Sequence, residues 1–153
     1  ATIQLDFQMP EKFKLEYIAE DGSKKRPVMI HRAIAGTFER FIGIITEHFQ
    51  GAFPLWLAPV QTVLIPVSEK QNVKKIYEEL KENGIRAEIY ESGETLPKRI
   101  REAGTQRIPY ILVVGEKEEK NKSVNARHKG KESEVKIQEL IEKIKKEIQD
   151  KTI

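Results

Sequence analysis

With 153 residues, 39% of them hydrophobic and 33% charged, the chain is long enough for one ordinary domain or for a small domain beside part of another. It has no cysteine, which excludes a disulfide framework and any thiolate nucleophile or thiolate metal site drawn from this chain alone. The net charge is +3, no apolar run approaches the ~18 residues of a membrane span and no signal-peptide pattern opens the sequence, so the expectation is a cytoplasmic protein with no membrane partner.

Thr2–Phe7 alternates Ile3, Leu5 and Phe7 with Thr2, Gln4 and Asp6, which predicts a strand with one apolar face. Phe13–Ala19 reads as a second strand, Glu20-Asp21-Gly22-Ser23 as a turn, and Arg26–Ile30 as a third strand. His31 and Arg32 end that strand. Apolar residues then recur at Ile34, Phe38, Phe41, Ile42, Ile45 and Phe49, the spacing of a helix with one buried face, and Arg40 lies within it. Residues 1–53 thus read as hairpin, strand and helix, with little to cover the sheet's other edge, and are expected to fold poorly by themselves.

Gly51, Pro54 and Pro59 interrupt the pattern and predict a boundary, with domains at 1–53 and 54–153. Val60–Val67 is a continuous apolar run, as in a strand covered on both faces. Ser68-Glu69-Lys70-Gln71 has capping-box spacing; the helix after it buries Val73, Ile76, Tyr77 and Leu80 and ends near Gly84. Ile85–Tyr90 is a strand, and Thr95 caps a short helix with Pro97 in its first turn, running to about Ala103. Tyr110–Val114 is a buried strand, Glu116–Lys122 a polar hairpin tip, and Ser123–Lys129 a more polar strand near an edge. A last helix buries Ile137, Leu140, Ile141, Ile144 and Ile148. The order β-α-β-α-β-β-α predicts an open three-layer α/β sheet, mixed and mostly parallel.

Charge is unevenly spread. Residues 1–53 hold seven basic and seven acidic side chains, whereas Lys98–Lys131 holds ten Lys or Arg against four Glu, a surplus of six. Such a patch attracts a phosphate backbone, but a solvated lysine face has the same composition, and charge alone favours neither. Lys98, Arg99 and Arg101 are expected to project from the short helix, Arg107 to follow it, and Asn125, Arg127 and Lys129 to alternate along one strand face. An ion-pair cluster of Glu118 with a neighbouring Arg is the plainer reading of these residues. His128 is expected to face solvent.

TIQLDF at 2–7, PVMIHRAIAGTFERFIGIITEHF at 27–49 and WLAPVQ at 56–61 together resemble the threonyl-tRNA synthetase family. GTFERF looks like motif 3 of the class II aminoacyl-tRNA synthetases, and the His of VMIHRA points to the threonyl branch. The resemblance runs through nearly the whole chain but covers only the C-terminal portion of the family's length, so the chain is expected to be a piece of a longer protein. It implies the end of a class II catalytic domain, antiparallel strands plus the motif 3 helix, followed by an anticodon-binding domain.

The reaction so implied is ATP-dependent ligation of L-threonine to tRNA(Thr) through threonyl-adenylate, with magnesium and zinc. Arg40 matches the arginine that lies flat on adenine beside the terminal phosphates, Gly36 a small residue allowing close approach, and Gln4 a residue lining the active site. His31 matches one of three zinc ligands, the other two belonging to earlier parts of the family's sequence; the metal grips the amino and hydroxyl groups of threonine. Without those partners, and without motifs 1 and 2, the piece is expected to hold no cofactor and to be inactive alone. Arg101, Arg107, Glu118 and Arg127 match positions that read the threonine anticodon, with Lys98 and Asn125 beside them; unpaired bases expose edges suited to bidentate Arg and to Glu. The resemblance implies a homodimer for the full-length enzyme and a monomer for this piece. The alternative is a non-catalytic accessory or regulatory paralogue that binds tRNA, which would have no use for a motif 3 helix.

Overall fold

The structure, a computed structural model, describes residues 1–68 and 73–153 and falls into two compact units, Ala1–Glu47 and His48–Ile153. The first contains β1 (Thr2–Asp6), a short helix α1 (Gln8–Lys12), β2 (Tyr17–Ile18), β3 (Lys24–Lys25), β4 (Met29–Ala33) and helix α2 (Phe38–Phe49), whose last two residues belong to the second unit. β1 pairs antiparallel with β4, and β2 with β3 across the Asp-Gly turn. The expected strand over Phe13–Ala19 shrinks to two residues. Residues 8–12 form α1 instead, because the Asp6 carboxylate accepts the N–H groups of Gln8 and Met9 and starts a helical turn. Arg26 then donates to the carbonyls of Pro10 and Glu11, tying the hairpin to that turn.

The helix with one buried face is also corrected. α2 begins at Phe38, so Ile34 precedes it, and no α2 residue is buried. Ile3, Leu5, Ile30, Phe38 and Ile44 are all more than half exposed. The alternation was read correctly, but the apolar side it defines has no cover among the described residues.

In the second unit, β5 (Thr62–Pro66), α3 (Lys74–Glu82), β6 (Ala87–Ile89), α4 (Leu96–Thr105) and β7 (Tyr110–Val114) alternate, followed by α5 (Glu116–Asn121), β8 (Ser123–His128), β9 (Lys131–Lys136) and α6 (Ile137–Gln149). They build one five-stranded sheet in the order β6-β5-β7-β8-β9, with β6, β5 and β7 parallel and β8 and β9 antiparallel to their neighbours. Every residue of β5 is buried, as its continuous apolar run requires. Leu64, Leu112 and Val124 pack on one face with Leu80 of α3 and Leu140 and Ile144 of α6. Val63, Ile65 and Ile111 pack on the other with Ala103 of α4. The expected three-layer, mixed α/β arrangement is therefore present. The capping box predicted at Ser68–Gln71 falls on residues 69–71, outside the described residues.

Two local expectations are corrected. Glu116–Lys122 is not a hairpin tip: residues 116–121 form α5. Ser123–Lys129 lies near an edge as read, with only β9 outside it, but the strand stops at His128: Lys129 sits in the turn with φ of +49°, followed by Gly130 at +75°. Two successive positive φ values make the tight turn whose twist matches a hairpin. Thr95 occupies the N-cap position of α4 with extended backbone but makes no side-chain cap bond.

Candidate functional site

Within the first unit, Gln4 lies directly opposite His31 in the β1–β4 ladder, on the polar face of the pair. His31 Nε2 is 3.0 Å from Asp6 Oδ2. The N–H of Met9, and next the His31 ring, hold the Asp6 carboxyl below its usual range. Because that carboxyl is depressed, its contribution is present above the ordinary carboxylate range and is lost as pH falls below it. Gly36 has φ of +76°, where an L side chain is strained, and a Cβ there would come within 3.3 Å of Arg40 Cδ. Gly36 therefore makes room for the arginine's own stem just ahead of α2, rather than inside the helix. Arg40 is exposed, and its N–H is 3.3 Å from the Thr37 hydroxyl. Zinc takes three or four protein ligands, and no group of three or more His, Cys, Asp or Glu able to hold a metal occurs among the described residues. The described residues do not by themselves supply a zinc ligand set.

In the second unit, Tyr90 at the end of β6 bonds Gln106, so that flank of α4 faces β6. Leu96, Arg99, Ile100 and Ala103 turn α4 towards the sheet, and Arg101 is exposed on the side of the helix away from them. Asn125 and Arg127 stand on the α4 side of β8, because their ladder partners Val113 and Ile111 do. α4 covers β5 and β7 but leaves β8 and β9 open on this side, and Asn125 and Arg127 are half-buried there. Arg127 Nη2 is 3.0 Å from Glu132 Oε1 on β9. Arg107 is exposed with φ of +58°, where its N–H bonds the Gly104 carbonyl to close α4. Lys98 pairs with Glu94 at 2.7 Å, an exposed bond that raises its pKa.

Three roles differ from expectation. Arg99 does not project: it is 4% exposed and donates to the carbonyls of Pro66, Tyr90 and Glu94. Glu118 pairs with no Arg among the described residues; its carboxylate accepts the Gly115 N–H at 3.1 Å in a box that starts α5. Glu118 and the first turn of α4 lie at the carboxyl end of the parallel strands, while Arg107 precedes β7 and Arg127 nears the end of β8. Roughly 15 Å of β7 separates the two ends. The six positions thus follow the length of the sheet instead of gathering at one point.

His128 does not face solvent either. It stacks on Tyr110 with ring centroids 4.0 Å apart and planes 6° apart, and its Nδ1 is 2.8 Å from the Pro109 carbonyl. The Tyr110 hydroxyl donates to Glu147 Oε2 at 2.7 Å; burial first, then that carboxylate, pushes the phenol pKa up. The raised value means this contribution is present below the ordinary tyrosine range and is lost only as pH climbs through the folded value. Tyr110→Phe keeps the stack and removes the bond, and is expected to cost about 1–2 kcal/mol in urea unfolding at neutral pH.

Residues 61–147 match the anticodon binding domain family, and residues 1–49 match the tRNA synthetase class II core domain (G, H, P, S and T). With more than half its length in the first match, the chain belongs to the anticodon binding domain family. Its resemblance is to threonine–tRNA ligase in particular. It is 53% identical over 156 residues to the threonine–tRNA ligase of Caldanaerobacter subterraneus subsp. tengcongensis, covering 99% of this chain and 24% of that protein. The ligase of Desulforamulus reducens is 49% identical, with 99% and 25% covered. The solved RNA binding domain of threonyl-tRNA synthetase from Cryptosporidium parvum matches with a TM-score of 0.80 and 37% identity, over 94% of this chain and 38% of that one. The chain spans about a quarter of the length of the curated relatives it matches. No helix among the described residues is long and apolar enough to cross a membrane.

Proposed function

We propose that this chain serves a threonine–tRNA ligase, with residues 1–53 completing the catalytic domain and 54–153 reading the anticodon of tRNA(Thr). The whole enzyme joins L-threonine to tRNA(Thr) through threonyl-adenylate, in the cytoplasm and as a homodimer; this chain alone is monomeric and does not catalyse. Arg40 takes the adenine and terminal phosphates of magnesium-bound ATP, Gly36 leaves room for the stem of that arginine, and Gln4 lines the pocket. His31, steadied by Asp6, is one ligand of a zinc ion whose other ligands lie outside this chain.

The observation that carries the reading is the row of Arg127 and Asn125 on the stretch of sheet that α4 leaves open, with Arg101 exposed on that helix. Arg107 and Lys98 extend the same polar strip towards the two ends of the sheet. Arginine forks suit the edges of unpaired bases, and lysine supplies attraction to phosphate without selecting a base. Glu118 contributes through its hold on Gly115, which fixes where α5 begins.

The test is binding of a threonine-anticodon stem–loop RNA to the chain. Affinity should fall steeply with added salt, and Arg127→Ala should weaken it about 5- to 100-fold with no change in melting temperature. Equal affinity for a stem–loop carrying another amino acid's anticodon would overturn the reading.

A further inference from the structure

Arg127 is already held before any RNA arrives. Its contact with Glu132 uses one nitrogen of the guanidinium, while its Nε, and the Oδ1 of Asn125 two residues earlier, are buried without a hydrogen-bond partner. The pair is open to water, with side chains 36% and 52% exposed. Arg127 and Glu132 are direct partners in the β8–β9 ladder, so their side chains leave neighbouring Cβ atoms on the same face of the sheet. Glu134, the next acidic residue on the same face of β9, is engaged elsewhere: its carboxylate accepts the Ser123 hydroxyl at 2.6 Å.

We propose that Glu132 is an internal competitor of RNA, holding the Arg127 guanidinium along β9 until a base edge or phosphate displaces it. The proposal rests on the reading of Arg127 as an RNA-contacting residue. A carboxylate offers two coplanar acceptors, as the O6 and N7 edge of guanine does, so both suit the same fork and cannot fill it together. The pair is weak enough to give way. It is solvent-exposed and made through one nitrogen, and it leaves the Nε–H unspent. Glu132 therefore lowers the affinity of every RNA that uses Arg127, and it neutralises that cation while the site is empty.

The experiment is a double-mutant cycle on the 153-residue chain with the threonine-anticodon stem–loop at fixed salt. Glu132→Gln should tighten binding about two- to five-fold, the range expected from releasing an exposed pair. In an Arg127→Ala background the same change should have no effect, and Glu134→Gln should stay within about two-fold of the parent. If Glu132→Gln leaves affinity unchanged while Arg127→Ala weakens it, the competitor is refuted and the anticodon reading stands. Equal tightening with and without Arg127 would mean that only a negative charge had been removed, and this too refutes it. If Arg127→Ala binds as the parent does, or the parent does not bind, the reading of Arg127 fails and takes the competitor with it. Melting curves of all five proteins should coincide, since each substituted group is exposed or half-exposed.

Discussion

Arg99→Met should lower the stability of the second unit by about 3–5 kcal/mol, the largest effect expected of any single substitution proposed for this chain. The cause lies in the unequal lengths of neighbouring strands. β6 ends at Ile89, so the Pro66 carbonyl at the end of β5 has no ladder partner on that side. Arg99 reaches it at 2.8 Å, and also donates to the carbonyls of Tyr90 and Glu94 at 3.1 and 3.0 Å. Methionine fills similar space but leaves three acceptors without a donor. Lysine at this position should restore only part of the loss, because a compact ammonium cannot reproduce the fork. In urea the midpoint should fall without a change of slope. A loss below about 1 kcal/mol would mean that water satisfies those carbonyls.

Gln61→Leu is expected to cost about 2–4 kcal/mol and to lower the melting temperature by about 10 °C or more. Gln61 is completely buried, its Nε2 donating to the Leu55 carbonyl at 2.8 Å and its Oε1 accepting the Arg86 N–H at 2.9 Å. Arg86 in turn donates its guanidinium to the carbonyls of Trp56 and Ala58. One amide and one guanidinium thus satisfy the carbonyls of Leu55, Trp56 and Ala58 in a bend that has no regular ladder of its own. Leucine preserves volume and strands both backbone groups. Glutamate should do no better, since it offers no donor to Leu55. Far-ultraviolet thermal melts of the two variants would measure both losses.

What the sequence made legible is whatever carried a strong apolar period. β7 matches its expected bounds, and α6 buries Ile137, Leu140, Ile141 and Ile144 as read. β9 was missed because KESEVK offers a single apolar residue, Val135, and its pairing comes from a Lys-Gly turn that gives little warning. α1 was missed because its start is a side-chain bond from Asp6 and not a periodic pattern. Among site residues, the bases of the basic strip were visible as charges, but charge does not say which cation is free. Arg99 and Arg101 look alike in sequence, yet one is committed to three carbonyls and the other is exposed. Glu132 could not be singled out, since its meaning depends on cross-strand register, which only the hairpin fixes. His128 misled for the same reason: its stacking partner Tyr110 lies 18 positions away in sequence and one strand away in space.

β9 closes the sheet at one side, and an outermost strand offers its unpaired backbone groups to any other chain that passes. Along Lys131–Lys136 nearly every side chain is exposed and four of the six are charged, which discourages another chain from adding itself to this edge. The carboxylates that border the basic strip are therefore also a guard against end-to-end growth of the sheet. A variant stripped of them to gain affinity would lose part of that protection and would precipitate sooner at high concentration.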